Sequence, residues 1–368
     1  MSGDTQLCAH LVEQIERAVP LSAATRAAFL SVPRRVFVPC YYQGQALVDA
    51  GDEVYEDTAL VTHRDANGII ASSSSQPSIM AAMLEALDLQ PGMRVLEIGT
   101  GTGYNAALLA QIVGERGTVV TIEIEPTVRE AAGRHLHEAG VDRVQIRCGD
   151  GLLGDPGMAP YDRIIATAST TSVPPAWTHQ LAPGGILVMN LVDRGSFVSV
   201  LLRLLKGEDG SLSGQTLPTS ARFMPLRPST PPDRSWMRET VSLADAAPLA
   251  VPADLVRQLR QNPHLIFFLW ARLWGLRLRL QYRGDSPKQN FDAYDVLYAA
   301  DDFLLAARSD VVMARGNAQR LIEQCQCWEE RGRPDLGAYH VEVDSEGHPH
   351  FQLQEERPGH SSLAVDTT

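Results

Sequence analysis

The run Val95-Leu96-Glu97-Ile98-Gly99-Thr100-Gly101-Thr102-Gly103-Tyr104 constrains this chain more than any other. A short apolar strand, Arg94–Ile98, enters three alternating glycines and leaves as a helical pattern, Tyr104–Val113. Glycines at such a turn let a ligand approach the backbone where a Cβ would block it. A dinucleotide fingerprint would carry glycine at the sixth position of the loop, where Tyr104 stands. Glu97 lies at the strand's end, just before the loop. A carboxylate there repels a pyrophosphate and suits a cationic ligand bearing an amino group. The plainer reading, glycines serving a tight turn alone, stays open at this point.

The flanking sequence repeats one rhythm. Strand patterns at Thr118–Glu123, Val144–Arg147, Asp162–Ala168 and Gly185–Val192 alternate with helical ones at Thr127–Ala139 and Pro174–Leu181. That alternation predicts an α/β fold with a mostly parallel sheet covered on both faces. Two acidic positions fall in register with the glycine loop. Glu123 ends the next strand, 24 residues after Gly99, where a carboxylate can accept both ribose hydroxyls. Asp150, beside Gly151, follows the third strand and can accept from an adenine amino group. Taken alone, each could be a solvated loop carboxylate. Glu125, close to Glu123, is expected to point to the opposite face.

The glycine loop resembles motif I of the class I S-adenosylmethionine (SAM) methyltransferases. With it come Val32-Pro33-Arg34-Arg35-Val36-Phe37-Val38-Pro39, Tyr55-Glu56-Asp57, Ser75-Gln76-Pro77, Gly149-Asp150-Gly151, Ala159-Pro160-Tyr161-Asp162-Arg163-Ile164-Ile165 and Leu181-Ala182-Pro183-Gly184-Gly185. Their order and spacing resemble the protein L-isoaspartyl O-methyltransferases over about residues 10–226. The resemblance implies a seven-stranded, Rossmann-like SAM-binding core. It implies methyl transfer from SAM to a side-chain carboxylate of a protein or peptide. The ester then loses methanol to the neighbouring backbone nitrogen, giving a succinimide. A carboxylate is ionised at neutral pH, so the reaction needs no strong general base, and none stands out. Alignment of the reactants and exclusion of water would carry the catalysis.

By the same resemblance, Ser75 is the serine that contacts the substrate carboxylate. Its bland reading is an N-cap for the helical run that begins at Gln76-Pro77 and carries Met80, Met83, Leu84 and Leu87. Ser73 and Gln76 complete the expected substrate side, and Ser72 and Ser74 read as parts of a mobile serine-rich loop. The expected cofactor side is Glu97, Gly99, Thr100, Gly101, Gly103, Tyr104, Glu123, Asp150 and Gly151. No metal is expected. Cys325 and Cys327 lie in a predicted helix, Asn317–Arg331, at a spacing that sends them to different faces.

Three features depart from the family pattern. The stretch between Asp57 and Ser75 looks long, Asn190 stands where proline is usual, and about 130 residues follow the catalytic region. Such an extension resembles family members associated with ribosomally made peptides: lanthipeptides, graspetides and lasso peptides. That subgroup implies an aspartate in a macrocyclic peptide as substrate and an aspartimide as product, with repair of isoaspartyl protein as the alternative.

The expected organisation is an N-terminal helical and loop region (1–90), the SAM-binding core (91–226), a proline-rich linker (227–236), a C-terminal α+β accessory domain (237–355) and a disordered tail (356–368). Helices are expected at Gln6–Val19, Ala23–Val32 (Ser22 as N-cap) and Ala253–Gln261, and a hairpin between Ser196–Leu205 and Ala221–Leu226. In the accessory region Arg277, Arg279 and Arg283 share one face of an alternating strand, with Arg272 upstream. That is either a dock for an acidic peptide or a solvated face. Trp270 and Trp274 read as a core pair, and His63 as an incidental loop histidine. The 32 Lys and Arg against 44 Asp and Glu give a net charge of −12, which argues against a general grip on nucleic acid. The longest apolar stretch, Leu265–Leu276, is interrupted by Arg272 and too short for a bilayer, so no membrane partner is expected. Five scattered cysteines favour a cytoplasmic setting.

Overall fold

The computed structural model describes residues 3–65, 67–193, 198–226, 243, 245–273, 276–282, 294–308 and 311–356. Its N-terminal part comprises α1 (Gly3–Glu16), α2 (Ala23–Ser31), α3 (Arg34–Phe37), two hairpins β1 (Cys40–Gln43)–β2 (Ala46–Asp49) and β3 (Leu60–Arg64)–β4 (Ile70–Ser74), and α4 (Pro77–Leu87). Ser22 caps α2 as expected, its hydroxyl accepting from the Thr25 amide.

The core follows as β5 (Arg94–Ile98), α5 (Tyr104–Val113), β6 (Thr118–Glu123), α6 (Pro126–Glu138), β7 (Gln145–Cys148), β8 (Tyr161–Thr170), α7 (Pro175–Gln180) and β9 (Leu181–Val192). These strands pair in parallel in the order β7-β6-β5-β8-β9. The chain winds one way from β5 to β7 and the other way through β8 to β9. The crevice beyond the C-terminal ends of β5 and β8 is therefore a switch point, the place where such sheets bind ligands.

Among the described residues the sheet is mixed and has nine strands, not seven. Beyond β9 come β10 (Ser199–Lys206) and β11 (Leu212–Thr216), both antiparallel. The stretch between the two arms of the expected hairpin thus supplies a strand of its own. Ala221–Leu226, read as a strand, runs as irregular chain with a single bridge from Pro225 to Ser169. The accessory region contributes β12 (Ala247–Leu249), α8 (Ala253–Gln261), α9 (Pro263–Arg272), β13 (Arg277–Tyr282), β14 (Tyr294–Ala299), β15 (Phe303–Ala307), β16 (Val312–Gly316), α10 (Gln319–Glu330), β17 (Tyr339–Val343) and β18 (Pro349–Leu353). Strands β12 to β16 form a separate antiparallel sheet, but β17 pairs with β11 and β18 with β17. The main sheet thus continues into the accessory region.

Period-two alternation sorts the core into two layers. Leu96, Ile164, Leu187 and Leu202 face a layer shared with α9, α10 and the second sheet. Val95, Ile165, Val188 and Leu201 face α1, α2, α4 and α5. The apolar Leu265–Leu276 stretch is largely α9; Phe267 meets Tyr339 and Phe351 edge-on, and Trp270 packs on Phe267 and Phe351. Among the described residues no helix is long and apolar enough to cross a membrane.

Several expectations need correction or fall outside the description. Glu356, placed in the tail, pairs with Arg272 and Arg331 at 2.8 and 2.9 Å, so Arg272 is committed to a carboxylate. The linker 227–236, Trp274, Arg283 and the tail beyond 356 lie outside the described residues. Cys325 is buried, and Cys327 accepts from Arg331.

Candidate active site

At the switch point lies a cavity of about 280 Å³. The register of β5 on β6 sets its floor. Glu97 and Thr121 are direct cross-strand partners, so their side chains stand together on one face. The Thr121 hydroxyl donates to Glu97 at 2.6 Å, and Asn105 Nδ2, from the first turn of α5, donates to the other oxygen at 2.7 Å. Because Thr121 has one proton and gives it to Glu97, Thr100 is the donor in the 2.8 Å Thr100–Thr121 contact. Glu97 is fully buried, and burial pushes its carboxyl up to about 7 despite those two donors.

Glu123 at the end of β6 accepts from the Gly101 and Glu125 amides, at 3.0 and 3.1 Å. Burial raises its pKa as well. The loop needs its glycines. Gly99 has φ +98°, and a Cβ there would stand 3.0 Å from Thr167 Oγ1. Gly101 has φ +54°, and a Cβ there would lie 3.5 Å from the Ser73 carbonyl and 3.6 Å from Ser72 Oγ.

The opposite wall is the serine run. It is strand, not mobile loop: Ser72 and Ser74 are buried within β4, which pairs with β3. The N-cap of α4 is Gln76 rather than Ser75, and its side chain caps nothing. Asp57 does the capping instead, accepting from the Ser78 amide at 2.7 Å and from Gln76 Nε2 at 3.0 Å. At the other end of α4, Arg163 donates to the Leu87 and Asp88 carbonyls and Arg203 to that of Ala86. Cations there satisfy a helix's orphan carbonyls.

Behind the serine wall sits Arg34, fully buried. Its guanidinium donates to the carbonyls of Val54, Glu56, Thr58 and Ser75 and to Ser74 Oγ, at 2.9–3.2 Å. One side chain thus joins α3, the 54–58 segment and the end of β4. Desolvation lowers its pKa to about 10, which still leaves it charged at neutral pH.

Of the expected residues, Ser73, Ser75, Gln76, Glu97, Gly99, Thr100, Gly101, Tyr104, Glu123 and Gly151 line this one cavity. Gly103 and Asp150 are not among its lining residues. Gly103 packs on α6, where a Cβ would meet the Ala132 carbonyl at 3.4 Å. Asp150 caps a short 3-10 turn through the Leu152 amide, between Gly149 and Gly151, which do line the cavity. His63 lies off it, against Thr127. Sequence reasoning gave no role to Arg34 and Asp57, although both stand in motifs it used. It missed Asn105, the Thr167–Ala168 irregularity in β8, and the whole 220–226 segment as cavity wall.

The residues present fit SAM. A buried carboxylate, Glu97, and a half-buried one, Glu123, line the cavity beside the glycine loop, a donor and acceptor set for a ligand with a cationic end and sugar hydroxyls.

Comparison with known proteins agrees. Residues 7–230 match the family model of protein-L-isoaspartate(D-aspartate) O-methyltransferase. A Thermotoga maritima protein-L-isoaspartate O-methyltransferase is 43% identical over 162 residues, 44% of this chain and 48% of that one. The chain thus spans about half the length of that relative. An Archaeoglobus fulgidus protein-L-isoaspartate O-methyltransferase 1 is 40% identical over 194 residues, 52% of this chain and 83% of that protein. A solved protein-L-isoaspartate O-methyltransferase structure superposes with a TM-score of 0.58 at 26% identity, covering 94% of this chain and 99% of its own. That match reaches well past residue 226, so the extension does not by itself separate this chain from proteins of that name. A family model spanning most of the chain, over a class I core with these acids and glycines, leads to one assignment: the chain belongs to the protein-L-isoaspartate(D-aspartate) O-methyltransferase family and is a SAM-dependent methyltransferase.

Proposed function

We infer that the chain methylates the carboxylate of an isoaspartyl residue in a protein or peptide. The observation that carries this reading is contact between the two walls. The space a Cβ would take at Gly101 abuts Ser73 and Ser72, so the substrate serines lie over the cofactor loop. Bound there, SAM supplies an electrophilic methyl group. Glu97 and Glu123 would hold its cationic and ribose ends, and Asp150, between the cavity-lining Gly149 and Gly151, would flank its adenine end. Ser75, with Ser73 and Gln76, would donate to or orient the acceptor carboxylate, so that one of its oxygens faces the methyl group that SAM would supply. Arg34, fixed behind Ser74 and Ser75, contributes positive potential on the substrate side. Arg222 is the one cation among the described residues lining the cavity, and it fits an anionic substrate. The ester then expels methanol as the next backbone nitrogen closes on the carbonyl, giving a succinimide.

The test is methyl transfer from SAM to a linear isoaspartyl peptide against its aspartyl twin. Transfer to the isoaspartyl form, reduced by at least about tenfold in Ser75→Ala, is expected. Transfer to neither peptide would reject the reading, and full activity in Ser75→Ala would reject the role of the serine.

One observation favours a second reading, an aspartate in a constrained ribosomally made peptide. The β3–β4 hairpin that leads into the serine wall exposes Ile69 and Ile70, and the neighbouring β2 exposes Leu47. Arg64 ties the two hairpins by donating to the Gly68 and Gly44 carbonyls. Such a rim suits a compact apolar peptide. Faster methylation of a macrocyclic aspartyl peptide than of the linear isoaspartyl one would establish it; the reverse order would exclude it.

A further inference from the structure

Residues 220–226 form a strap that walls one side of the cavity without belonging to a strand. A segment with no ladder of its own must be held by other groups. Three residues hold this one. Ser169 does so three times: its amide donates to the Met224 carbonyl, its carbonyl accepts from the Leu226 amide, and its hydroxyl donates to the Phe223 carbonyl. The other two holders are Asn190 and Ser199, which converge on the Ala221 carbonyl.

Asn190 is fully buried at the end of β9, directly across from Ser169 of β8. Its Nδ2 reaches Ser199 Oγ at 2.9 Å, the Ala221 carbonyl at 3.1 Å and the Val200 carbonyl at 3.2 Å. The Ser199 hydroxyl has one proton, and its 2.5 Å contact with the Ala221 carbonyl takes it. Nδ2 gives one of its two protons to Ser199 Oγ and shares the other between the Ala221 and Val200 carbonyls, so the amide and the hydroxyl together clamp one carbonyl of the strap. A buried amide needs partners, but an apolar side chain would fill this interior position without the need. What the amide adds is a fixed place for Ala221, and with it for Arg222, which follows on the cavity rim.

We propose that Asn190 and Ser199 are positioning residues for the substrate: they fix the strap, and through it the wall that meets the peptide, while leaving SAM binding alone. This deepens the isoaspartyl reading and rests on it. Neither residue lines the cavity among the described residues, and the groups assigned to SAM stand on β5, β6 and the loops after β5 and β7. Losing the clamp should therefore act on one substrate only.

The experiment compares the full-length chain with Asn190→Leu, Ser199→Ala and Ser199→Thr. The first two should raise the peptide KM about fivefold to tenfold, roughly the loss of one hydrogen bond. They should leave kcat within about threefold and the SAM Kd within about twofold. Ser199→Thr, which keeps the hydroxyl, should restore the wild-type KM. Amide hydrogen exchange over 217–226 should be faster in the two disrupting variants. If Asn190→Leu fails to fold, Ser199→Ala carries the test. Lowered melting temperature with unchanged KM, or unchanged exchange in the strap, overturns the proposal. A wild type inert on isoaspartyl peptide would reject the proposed function, and the exchange measurement would still decide whether the clamp holds the strap.

Discussion

Glu97 offers the sharpest perturbation, because its burial sets two opposite pH dependences. In the free enzyme its carboxyl titrates near 7, against an ordinary value of 4.5. Between those values the folded chain keeps a proton that the unfolded chain has lost. The stability this group contributes is therefore fully present below about 4.5 and is lost as pH rises to about 7, by about 3 kcal/mol at ~1.4 kcal/mol per pH unit. Affinity for SAM should move the other way. A sulfonium and an ammonium favour the ionised carboxylate, so binding expels the proton. If only the ionised form binds tightly, the SAM Kd should weaken about 25-fold from about pH 7.5 to about pH 5.5, a window in which most of the ligand's own amino group is charged. Calorimetry over that range, with proton release read from two buffers, measures it. Glu97→Gln should flatten the SAM profile and remove the fall in melting temperature of the free protein. Glu123→Gln, altering a carboxyl that burial also raises, should leave most of the slope in place. A 25-fold slope that survives in Glu97→Gln would refute the assignment, as would a flat profile in the wild type.

Three further perturbations follow from the same geometry. Arg34→Lys keeps the charge but loses the fork that holds five acceptors, so it should cost at least about 3 kcal/mol in urea unfolding and most of the activity; stability within 1 kcal/mol of wild type, roughly, would contradict the role given to it. Gly151→Ala places a Cβ 2.6 Å from Ile98 Cγ2 and 3.2 Å from Leu226 Cδ2, between the cofactor strand and the strap. It should cost about 1–3 kcal/mol and weaken SAM and peptide together, seen as parallel rises in Kd and KM. A chain ended after Leu226 loses β17 and leaves β11 an open edge, so it should aggregate on gel filtration; a soluble monomer that binds SAM would show the core to be independent.

The cofactor half of this molecule was legible because its signals are local. Glycine spacing, period-two strands and helical runs fall within about forty residues, and α5 and β6 have the limits their patterns predict. The substrate half was not, because there the partners lie far apart along the chain. Leu212–Thr216 lies within Gly207–Pro218, which reads as a polar Gly/Ser loop, yet it is held between β10 and a strand that begins at Tyr339. Weak strand formers become strand when both edges are paired. The serine run makes the same point, since four consecutive serines signal a loop by composition. What makes Ser72, Ser73 and Ser74 strand is β3 on one side and Arg34, forty residues upstream of Ser74, on the other.

The strap shows the converse error, and its cause explains why the misreadings gather at the cavity. Ala221-Arg222-Phe223-Met224-Pro225-Leu226 has a strand's alternation, but strand pairing would commit its amides and carbonyls to neighbouring backbone. Among the described residues only the Met224 carbonyl and the Leu226 amide pair that way, with the Ser169 backbone; the Phe223 and Ala221 carbonyls go to the side chains of Ser169, Asn190 and Ser199, at the ends of β8, β9 and β10. A wall held this way can be shaped for a ligand, because no ladder register dictates where it runs. The serine strand opposite follows the same logic: its own propensity is weak, and a buried cation fixes it. Both walls of the substrate side thus depart from local preference and are held by groups distant in sequence, the pattern expected where function rather than folding selects the residues. Substitutions at Arg34, Asn190 and Ser199 therefore test the site more directly than substitutions at the strands they hold.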